Sequence, residues 1–230
     1  REHIRPTARI HYDIEKAGDV VNVVPDYAQI WTRIRENDKE NVNILYERAK
    51  KMAEGASMMA NVDYELSLIS GIYEIIPNRF GAKVIQNNFE MLGEIEYSND
   101  EIEYANTILK ETGKELKGID GKLKPIKPTL PAQGGSTDVG DVSQVVPVVR
   151  LGVTTAAKDG PWHSWAVVAC TGMSIGHKGM IYASKSLAMT MLDFYKNPKL
   201  IAGAKKEFLE RKGNKVYKPQ IPPGPPKLIN

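Results

Sequence analysis

The sequence predicts an α/β protein, in the broader sense of α+β, because it combines short strands with longer helices. Near the N-terminus, apolar and polar residues alternate, which is typical of strands. From about residue 77 onward, apolar residues instead recur at spacings of 3 or 4, which is typical of helices. A mostly apolar run at 145–153 indicates one further, largely buried strand. At 230 residues, the chain is long enough for one large domain or two modest ones.

The first 76 residues predict two strands, a helix and a third strand. Alternation at 8–14 and again at 27–35 indicates half-buried strands. Between 42 and 59, the apolar residues form one stripe on a helix of about six turns, with Asn37 or Asp38 as its N-cap. Alternation returns at 62–68. The predicted arrangement is therefore β-β-α-β, an open sheet with a helix on one face.

The rest of the chain predicts mainly helices that are separated by loops. The predicted helices cover 84–92, 101–109, 181–195 and 198–212. They are bounded by cap signals: a Ser98-x-x-Glu101 capping box, an Asn197-Pro198 start, and stops at Gly93, Gly113 and Gly213. The Lys-, Pro- and Gly-rich stretch 114–133 indicates a surface loop, and the Pro-rich stretch 219–226 indicates an extended segment.

Composition excludes several classes of protein. The 31 Lys and Arg residues offset 28 Asp and Glu to leave a net charge of +3, which is too mild to indicate nucleic acid or membrane as a partner. No apolar run approaches the roughly 20 residues that span a bilayer, and the chain does not open on an apolar signal segment. The single cysteine, Cys170, excludes an intrachain disulfide and fits a reducing compartment, so we expect a cytoplasmic protein.

Several common motifs of a self-contained active site are absent from the sequence. There is no His-Glu-x-x-His, no Cys-x-x-Cys, no phosphate-binding Walker loop and no Gly-x-Gly-x-x-Gly. If the protein is an enzyme, part of its chemistry must therefore come from elsewhere.

Two segments combine polar residues in a way that suggests a metal site. His163 lies between two tryptophans on a Gly-Pro turn, either as a hydrogen-bonded imidazole in a packed aromatic turn or as a metal ligand. The cluster 134–141 is Gly-rich and carries Asp138, which either caps its own backbone in a loop or fixes the other ring nitrogen of His163. One histidine cannot hold a metal ion, so at least two further ligands would be needed.

A third segment offers donors for an anion. Asn22 precedes a predicted strand, and Arg35 ends it thirteen residues later. Each has an ordinary structural interpretation, as a turn residue and a solvated arginine. Together they could bind a carboxylate or an oxyanion, because arginine can grip it bidentately while the amide donates. His11 and His177 are predicted to be structural.

In order along the chain, these segments resemble the M20 family of metallopeptidases and amidohydrolases, most closely its aminobenzoyl-glutamate utilization branch. The motifs cover nearly the whole chain, which makes the resemblance specific. They are Arg9-Ile10-His11-Tyr12, Asn22-Val23-Val24-Pro25-Asp26, Gly135-Ser136-Thr137-Asp138-Val139-Gly140-Asp141-Val142-Ser143, His163-Ser164-Trp165, Gly172-Met173-Ser174-Ile175-Gly176-His177-Lys178-Gly179 and Ala204-Lys205-Lys206-Glu207-Phe208.

The resemblance implies an architecture and a set of partners. The family has an α/β catalytic domain that binds two divalent metal ions, Zn²⁺ or Mn²⁺, and that is interrupted by a smaller ferredoxin-like lid domain, which also dimerises. Residues 1–76 would be most of the lid, without its first helix, and residues 77–230 the second half of the catalytic domain. The implied partners are the N-terminal half of the catalytic domain and, through the lid, a second copy or a related subunit.

The resemblance also implies roles for single residues. His163 matches the family's last metal ligand, and Asn22 matches the lid asparagine that reaches the substrate. Arg35 sits where related members carry a carboxylate-binding arginine. The remaining metal ligands and the catalytic glutamate lie upstream of where this chain begins, so no catalytic residue is assigned and the isolated chain is expected to be inactive.

Two functions follow as expectations. The first is the C-terminal part of a metal-dependent hydrolase that cleaves the amide bond of N-acyl amino acids such as p-aminobenzoyl-glutamate, or of dipeptides, with two metal ions polarising the carbonyl and activating water. The alternative is a non-catalytic interaction module that pairs with a partner through the edge of its sheet.

Overall fold

The computed structural model describes residues 3–126, 135–221 and 223–225. Within these residues the chain is mainly helical, with a small antiparallel sheet, in agreement with the α+β class. In chain order the elements are β1 (Arg9–Lys16), β2 (Gln29–Arg35), α1 (Lys39–Ala60), α2 (Arg79–Leu92), α3 (Asn99–Glu111), α4 (Val139–Ser143), α5 (Trp165–Thr171), α6 (Ser174–Lys196) and α7 (Pro198–Lys212). None of the helices in the described ranges is long and apolar enough to cross a membrane.

The chain divides into two compact units. Unit 1 contains the described parts of 1–75, 130–145 and 216–230, and unit 2 contains those of 76–129 and 146–215. Unit 1 therefore carries the sheet with α1 and α4, and unit 2 carries the other five helices of the described chain. The assignment of 1–76 and 77–230 to a lid and a catalytic half stays a prediction.

A hairpin formed by β1 and β2 opens unit 1. The strands run antiparallel, with Ile10 opposite Ile34 and Ile14 opposite Ile30, so the isoleucines share one face. Both predicted strands are thus confirmed. The predicted half-burial of β1 is wrong, because every residue of this strand is exposed.

The long helix α1 follows the hairpin as predicted. Its N-cap is Asp38, whose carboxylate accepts a hydrogen bond from the backbone N–H of Asn41 at 2.8 Å. It ends at Asn61, which takes the left-handed conformation with φ 52° and returns its N–H to the carbonyl of Met58. Leu45 is its buried residue.

The predicted third strand is wrong. Residues 62–68 form no β-ladder, so the sheet in the described chain has two strands and the β-β-α-β arrangement is not formed. Alternation of apolar residues indicates which side chains share a face. A strand also needs a neighbouring strand whose backbone can form hydrogen bonds with its own. Further along the same segment, the backbone of Tyr73 and Glu74 instead bonds to side chains of α4 and its C-cap.

The helices of unit 2 enclose a small core. Ala105, Ile108 and Leu109 of α3 pack with α5 and α6 around the buried thiol of Cys170. The predicted caps are confirmed: Ser98 and Glu101 form the reciprocal capping box of α3, and Asn197 caps α7.

Three predictions in unit 2 and at its boundary were wrong. The run 145–153 forms neither a strand nor a helix beyond a turn at its start, and Val145 and Val146 are exposed. Pro147 lacks a backbone donor, and none of the described residues forms a neighbouring strand on which the run could pair. Helix α6 begins at Ser174, seven residues earlier than predicted, and Leu187, predicted to point inward, is exposed.

Candidate functional site

His163 lies in a tight turn immediately before α5. Its backbone is left-handed, with φ 59°, a conformation that costs energy for a residue other than glycine. The next residue, Ser164, holds the turn: its hydroxyl donates to the carbonyl of Pro161 at 2.6 Å and accepts from the N–H of Ala166 at 3.3 Å. The turn leaves the His163 side chain exposed at the start of a helix.

The surroundings of His163 do not form a metal site by themselves. Trp162 and Trp165, on either side of it in the sequence, are both exposed. In the part of the chain that the structure describes, no three His, Cys, Asp or Glu side chains come close enough together to hold a metal ion. The described residues therefore form no complete metal site by themselves, and His163 offers one ligand to a site that would need others.

Asp138 stands at the start of the short helix α4 in unit 1. Its side chain makes no capping hydrogen bond to the helix. Its carboxylate accepts a hydrogen bond from the hydroxyl of the neighbouring Thr137 at 3.4 Å. His163 belongs to unit 2, so the predicted contact between the two side chains stays a prediction. Gly134, the first residue of the predicted cluster, lies outside the described residues.

The second acid of that cluster, Asp141, organises unit 1. One carboxylate oxygen accepts from the backbone N–H of Tyr73 at 3.2 Å, and the other accepts from the Tyr217 hydroxyl at 3.0 Å. Burial and this hydrogen bond raise the pKa of Tyr217. Gly140 lies so close to the Tyr73 carbonyl that a Cβ there would be 1.9 Å from its oxygen. The cluster thus holds together two segments that are distant in the sequence, those of Tyr73 and Tyr217. The glycine-rich pattern of the sequence did not predict this role.

Asn22 and Arg35 lie toward opposite ends of the hairpin. Asn22 is exposed in the turn that follows β1, where the N–H of Val23 bonds to the carbonyl of Val20. Arg35 is the last residue of β2, opposite Arg9. Six residue steps of β2, about 20 Å, separate Arg35 from the turn end of the hairpin. The hairpin itself therefore does not bring the two side chains together.

The face of the hairpin that carries Arg35 is basic. By the strand register, it also carries Arg9 and Arg33, with His11, Asp13 and Trp31. Arg9 stands directly opposite Arg35, an arrangement of like charges that destabilises a sheet. The Nε of Arg35 is buried and has no acceptor among the described residues, although buried donors are normally satisfied. The charge and the unsatisfied donor both favour an anion on this face.

Sequence reasoning missed a charged cluster between α3 and α6. Glu101, which is buried, accepts from Lys178 and from the hydroxyl of Ser174, both at 2.6 Å, and from the N–H of Ser98 at 2.7 Å. Burial alone raises the pKa of the Glu101 carboxyl, but these donors and the Lys178 charge outweigh it and hold the pKa at about 2. The capping box in the sequence could have indicated this cluster. A capping glutamate has two carboxylate oxygens, and the backbone N–H that it caps satisfies only part of their capacity to accept hydrogen bonds.

A cavity of about 480 Å³ adjoins this cluster. Lys178 contributes to its wall together with His177, Lys185, Glu94 and Tyr182. The Tyr182 hydroxyl donates to the carbonyl of Gly93 at 2.7 Å. Lys178 is bound to Glu101, and Tyr182 is bound to backbone, so both side chains link α6 to neighbouring segments.

Comparison with known proteins finds three relatives, all of them hydrolases by name. The chain is 28% identical to one subunit of the p-aminobenzoyl-glutamate hydrolase of Escherichia coli (strain K12), over 96% of this chain and 51% of that protein. It is 26% identical to the Xaa-Arg dipeptidase of Mus musculus and 23% identical to that of Homo sapiens, in each case over 90% of this chain and 42% of the relative. The chain thus spans about half the length of the curated relatives it matches. No protein-family model matches it.

Proposed function

Because its relatives are amide-bond hydrolases of the M20 family, we propose that this chain forms part of a metal-dependent enzyme that cleaves an N-acyl amino acid or a dipeptide. The observation that carries the proposal is the match to a hydrolase subunit over 96% of the chain. The remaining active-site groups would come from polypeptide outside this chain, the N-terminal half of a catalytic domain. The isolated chain is accordingly proposed to be inactive.

The charge of the hairpin supports an acidic amino acid as the leaving group. One relative is named for p-aminobenzoyl-glutamate, which carries two carboxylates, and the others for Xaa-Arg dipeptides, which carry one carboxylate and a guanidinium. The Arg35 face carries three arginines and one aspartate, so its net charge is positive. This charge attracts the two carboxylates of p-aminobenzoyl-glutamate and repels the guanidinium of an Xaa-Arg dipeptide. The proposed substrate class is therefore that of p-aminobenzoyl-glutamate.

Arg35 and Asn22 are proposed to bind substrate. The unsatisfied Nε of Arg35 supports bidentate pairing with a carboxylate, which uses Nε and a terminal nitrogen of the guanidinium together. Asn22 is exposed and carries an amide donor. Because the hairpin keeps the two apart, each is proposed to contact a different group.

His163 is proposed to donate one ligand to a metal ion, Zn²⁺ or Mn²⁺, with two ions in the complete enzyme. Its exposure and its strained backbone support this role, because left-handed residues are concentrated at functional sites. Such ions would act as Lewis acids when the further ligands are present. Asp138 is proposed to orient the imidazole.

The proposal includes an assembly and a location. Residues 1–76 are proposed to be most of a lid domain that forms a homodimer or pairs with a related subunit. The exposed isoleucines of the hairpin support such a contact, because an apolar sheet face is normally covered. The single buried cysteine supports a reducing compartment such as the cytoplasm.

The test uses the full-length protein loaded with Zn²⁺ or Mn²⁺ and assays release of glutamate from p-aminobenzoyl-glutamate. His163→Ala is expected to abolish activity and to lower the metal content, whereas His177→Ala, which alters an exposed histidine on α6, serves as its control. Arg35→Ala is expected to raise KM for p-aminobenzoyl-glutamate at least tenfold. If the loaded protein hydrolyses no N-acyl amino acid or dipeptide, the function is wrong; if His163→Ala stays active, His163 is not in the site.

A non-catalytic interaction module is the second candidate. In the described chain the sheet has two strands, so both strands keep an open edge that a partner strand can extend. Size-exclusion of the chain with and without the proposed N-terminal half separates the two functions. A chain that associates through its own hairpin and never binds that half would favour the module.

A further inference from the structure

The Arg35 face of the hairpin presents its side chains in three rows. Each row is a pair of residues that stand opposite each other on β1 and β2, and neighbouring rows are about 7 Å apart. In order from the turn end of the hairpin, the rows are Asp13 with Trp31, His11 with Arg33, and Arg9 with Arg35. The face therefore changes from aromatic and acidic at one end to basic at the other.

The row nearest the turn offers an aromatic ring beside a carboxylate. Trp31 is 44% exposed, and the guanidinium of Arg33 lies 5.9 Å from the centre of its ring, within the range of a cation–π contact. Asp13 is exposed, and no described residue donates a hydrogen bond to its carboxylate. An exposed ring next to a carboxylate suits an aromatic group that carries a hydrogen-bond donor.

The three arginines of this face differ in what they bind. A terminal nitrogen of Arg9, Nη1, donates to the carbonyls of Pro6 and Ala8 at 2.7 and 2.8 Å. No described residue accepts a hydrogen bond from the guanidinium of Arg33 or Arg35, and the Nε of Arg35 is buried without an acceptor. The face thus offers two guanidinium groups, each of which can pair with a carboxylate.

We propose that the Arg35 face binds an aromatic N-acyl derivative of a dicarboxylic amino acid along its length. Trp31 stacks on the acyl ring, Asp13 accepts a hydrogen bond from a donor on that ring, and Arg33 and Arg35 bind the two carboxylates. The inference rests on the proposed function for the reaction, and it adds Trp31 and Asp13 as the residues that select the acyl group.

The ligand named for one relative has its groups in the same order as the rows. p-Aminobenzoyl-glutamate carries an amine, an aromatic ring and then two carboxylates. Trp31 and Arg35 are four residues apart on β2, which is about 13 Å. An extended chain of three residues spans roughly 10 Å, so a ring joined to glutamate covers most of this distance and a long arginine side chain covers the rest.

The experiment measures binding by calorimetry to the full-length protein freed of metal, so hydrolysis does not enter the result. Trp31→Leu is expected to weaken the binding of p-aminobenzoyl-glutamate about tenfold, because the ring loses its stacking partner. The binding of N-acetyl-glutamate, which has the same carboxylates and no ring, is expected to stay within about twofold of the parent value. Trp31→Phe, which keeps an aromatic ring, is expected to restore most of the loss.

Tyr12→Leu is the matched control, because Tyr12 is also an exposed aromatic residue of the hairpin and lies on its opposite face. It is expected to bind both ligands as the parent does. Asp13→Ala is expected to weaken the binding of p-aminobenzoyl-glutamate about tenfold and to leave that of benzoyl-glutamate, which lacks the amine, unchanged.

Three results would overturn the inference. They are unchanged binding of p-aminobenzoyl-glutamate by Trp31→Leu, an equal loss for N-acetyl-glutamate, and an equal loss in Tyr12→Leu. Hydrolysis is assayed separately on the metal-loaded protein, so a parent that cleaves N-acyl amino acids while giving any of these results would leave the proposed function standing. A metal-free parent that binds no p-aminobenzoyl-glutamate would also overturn the inference.

Discussion

The residue that most clearly couples charge to stability is Glu101. Its carboxylate joins α3 to α6 through Ser174 and Lys178, and the hydrogen bonds that it accepts hold its pKa at about 2. Because the folded-state pKa lies below the ordinary value of 4.5, the group stabilises the fold above pH 4.5. That contribution is lost as the pH falls toward about 2.

We predict that Glu101→Gln lowers the free energy of unfolding by about 2 kcal/mol at pH 7, because hydrogen bonds to a charged group are lost. Urea denaturation of the variant and the parent from pH 7 to pH 2 measures the difference, which is expected to shrink below pH 4.5. Glu103→Gln, an exposed neighbour on the same helix, is expected to change stability by less than about 0.5 kcal/mol. A difference that persists at pH 2 would contradict the charge-based explanation.

A second residue-scale prediction concerns Gly140. Alanine there places a Cβ 1.9 Å from the carbonyl oxygen of Tyr73, a backbone atom that cannot rotate away. We expect Gly140→Ala to lower the free energy of unfolding by about 3 kcal/mol. Gly55→Ala, in the middle of α1 with nothing within 4 Å of the new Cβ, is expected instead to stabilise the protein by about 0.5–1 kcal/mol. If both changes behaved alike in urea denaturation, close packing at Gly140 would not be the cause.

At the scale of whole elements, the sequence was most informative about helix ends. The caps at Ser98 and Asn197 were predicted correctly, and Asp38 was one of two candidates for α1, because a cap depends on residues within one turn of each other. The strands at 62–68 and 145–153 were predicted wrongly because a strand depends on a distant partner that local patterns do not reveal. Helix α5 was missed because it has only seven residues and no apolar period of its own.

The capping box of α3 gives a prediction at this scale. In Ser98→Ala, the backbone N–H of Glu101 loses its acceptor, so we expect the free energy of unfolding to fall by about 1 kcal/mol. Ser184→Ala on α6 is the control: its hydroxyl is exposed and bonds back to the carbonyl of Met180, so its removal is expected to be close to neutral. Thermal denaturation followed by circular dichroism compares the two. Equal loss in both variants would show that the cap contributes nothing.

For the whole molecule, the many exposed apolar side chains among the described residues predict a small heat capacity change on unfolding. We therefore expect a heat capacity change below the value of about 3.1 kcal/mol/K for an average protein of this length.

Differential scanning calorimetry beside a monomeric globular protein of similar length checks this value. The total heat capacity change is the sum of the changes of the two units. The comparison therefore holds whether the units unfold together or separately. A value near 3.1 kcal/mol/K, about that of an average protein, would mean that the free chain covers its apolar surface in solution, for example by association with itself.

The sequence alone determined the α+β class, the main helices with their caps, the two strands of the hairpin, and the resemblance that led to hydrolase relatives. These depend on local periodicity and on short motifs. The tertiary structure decided what local patterns leave open. It placed Asn22 and Arg35 at different ends of one hairpin, bound Asp141 to two distant tyrosines, and turned the apolar side of α6 to solvent. The physical reason is that periodicity records which residues share a face, whereas only packing determines what that face contacts.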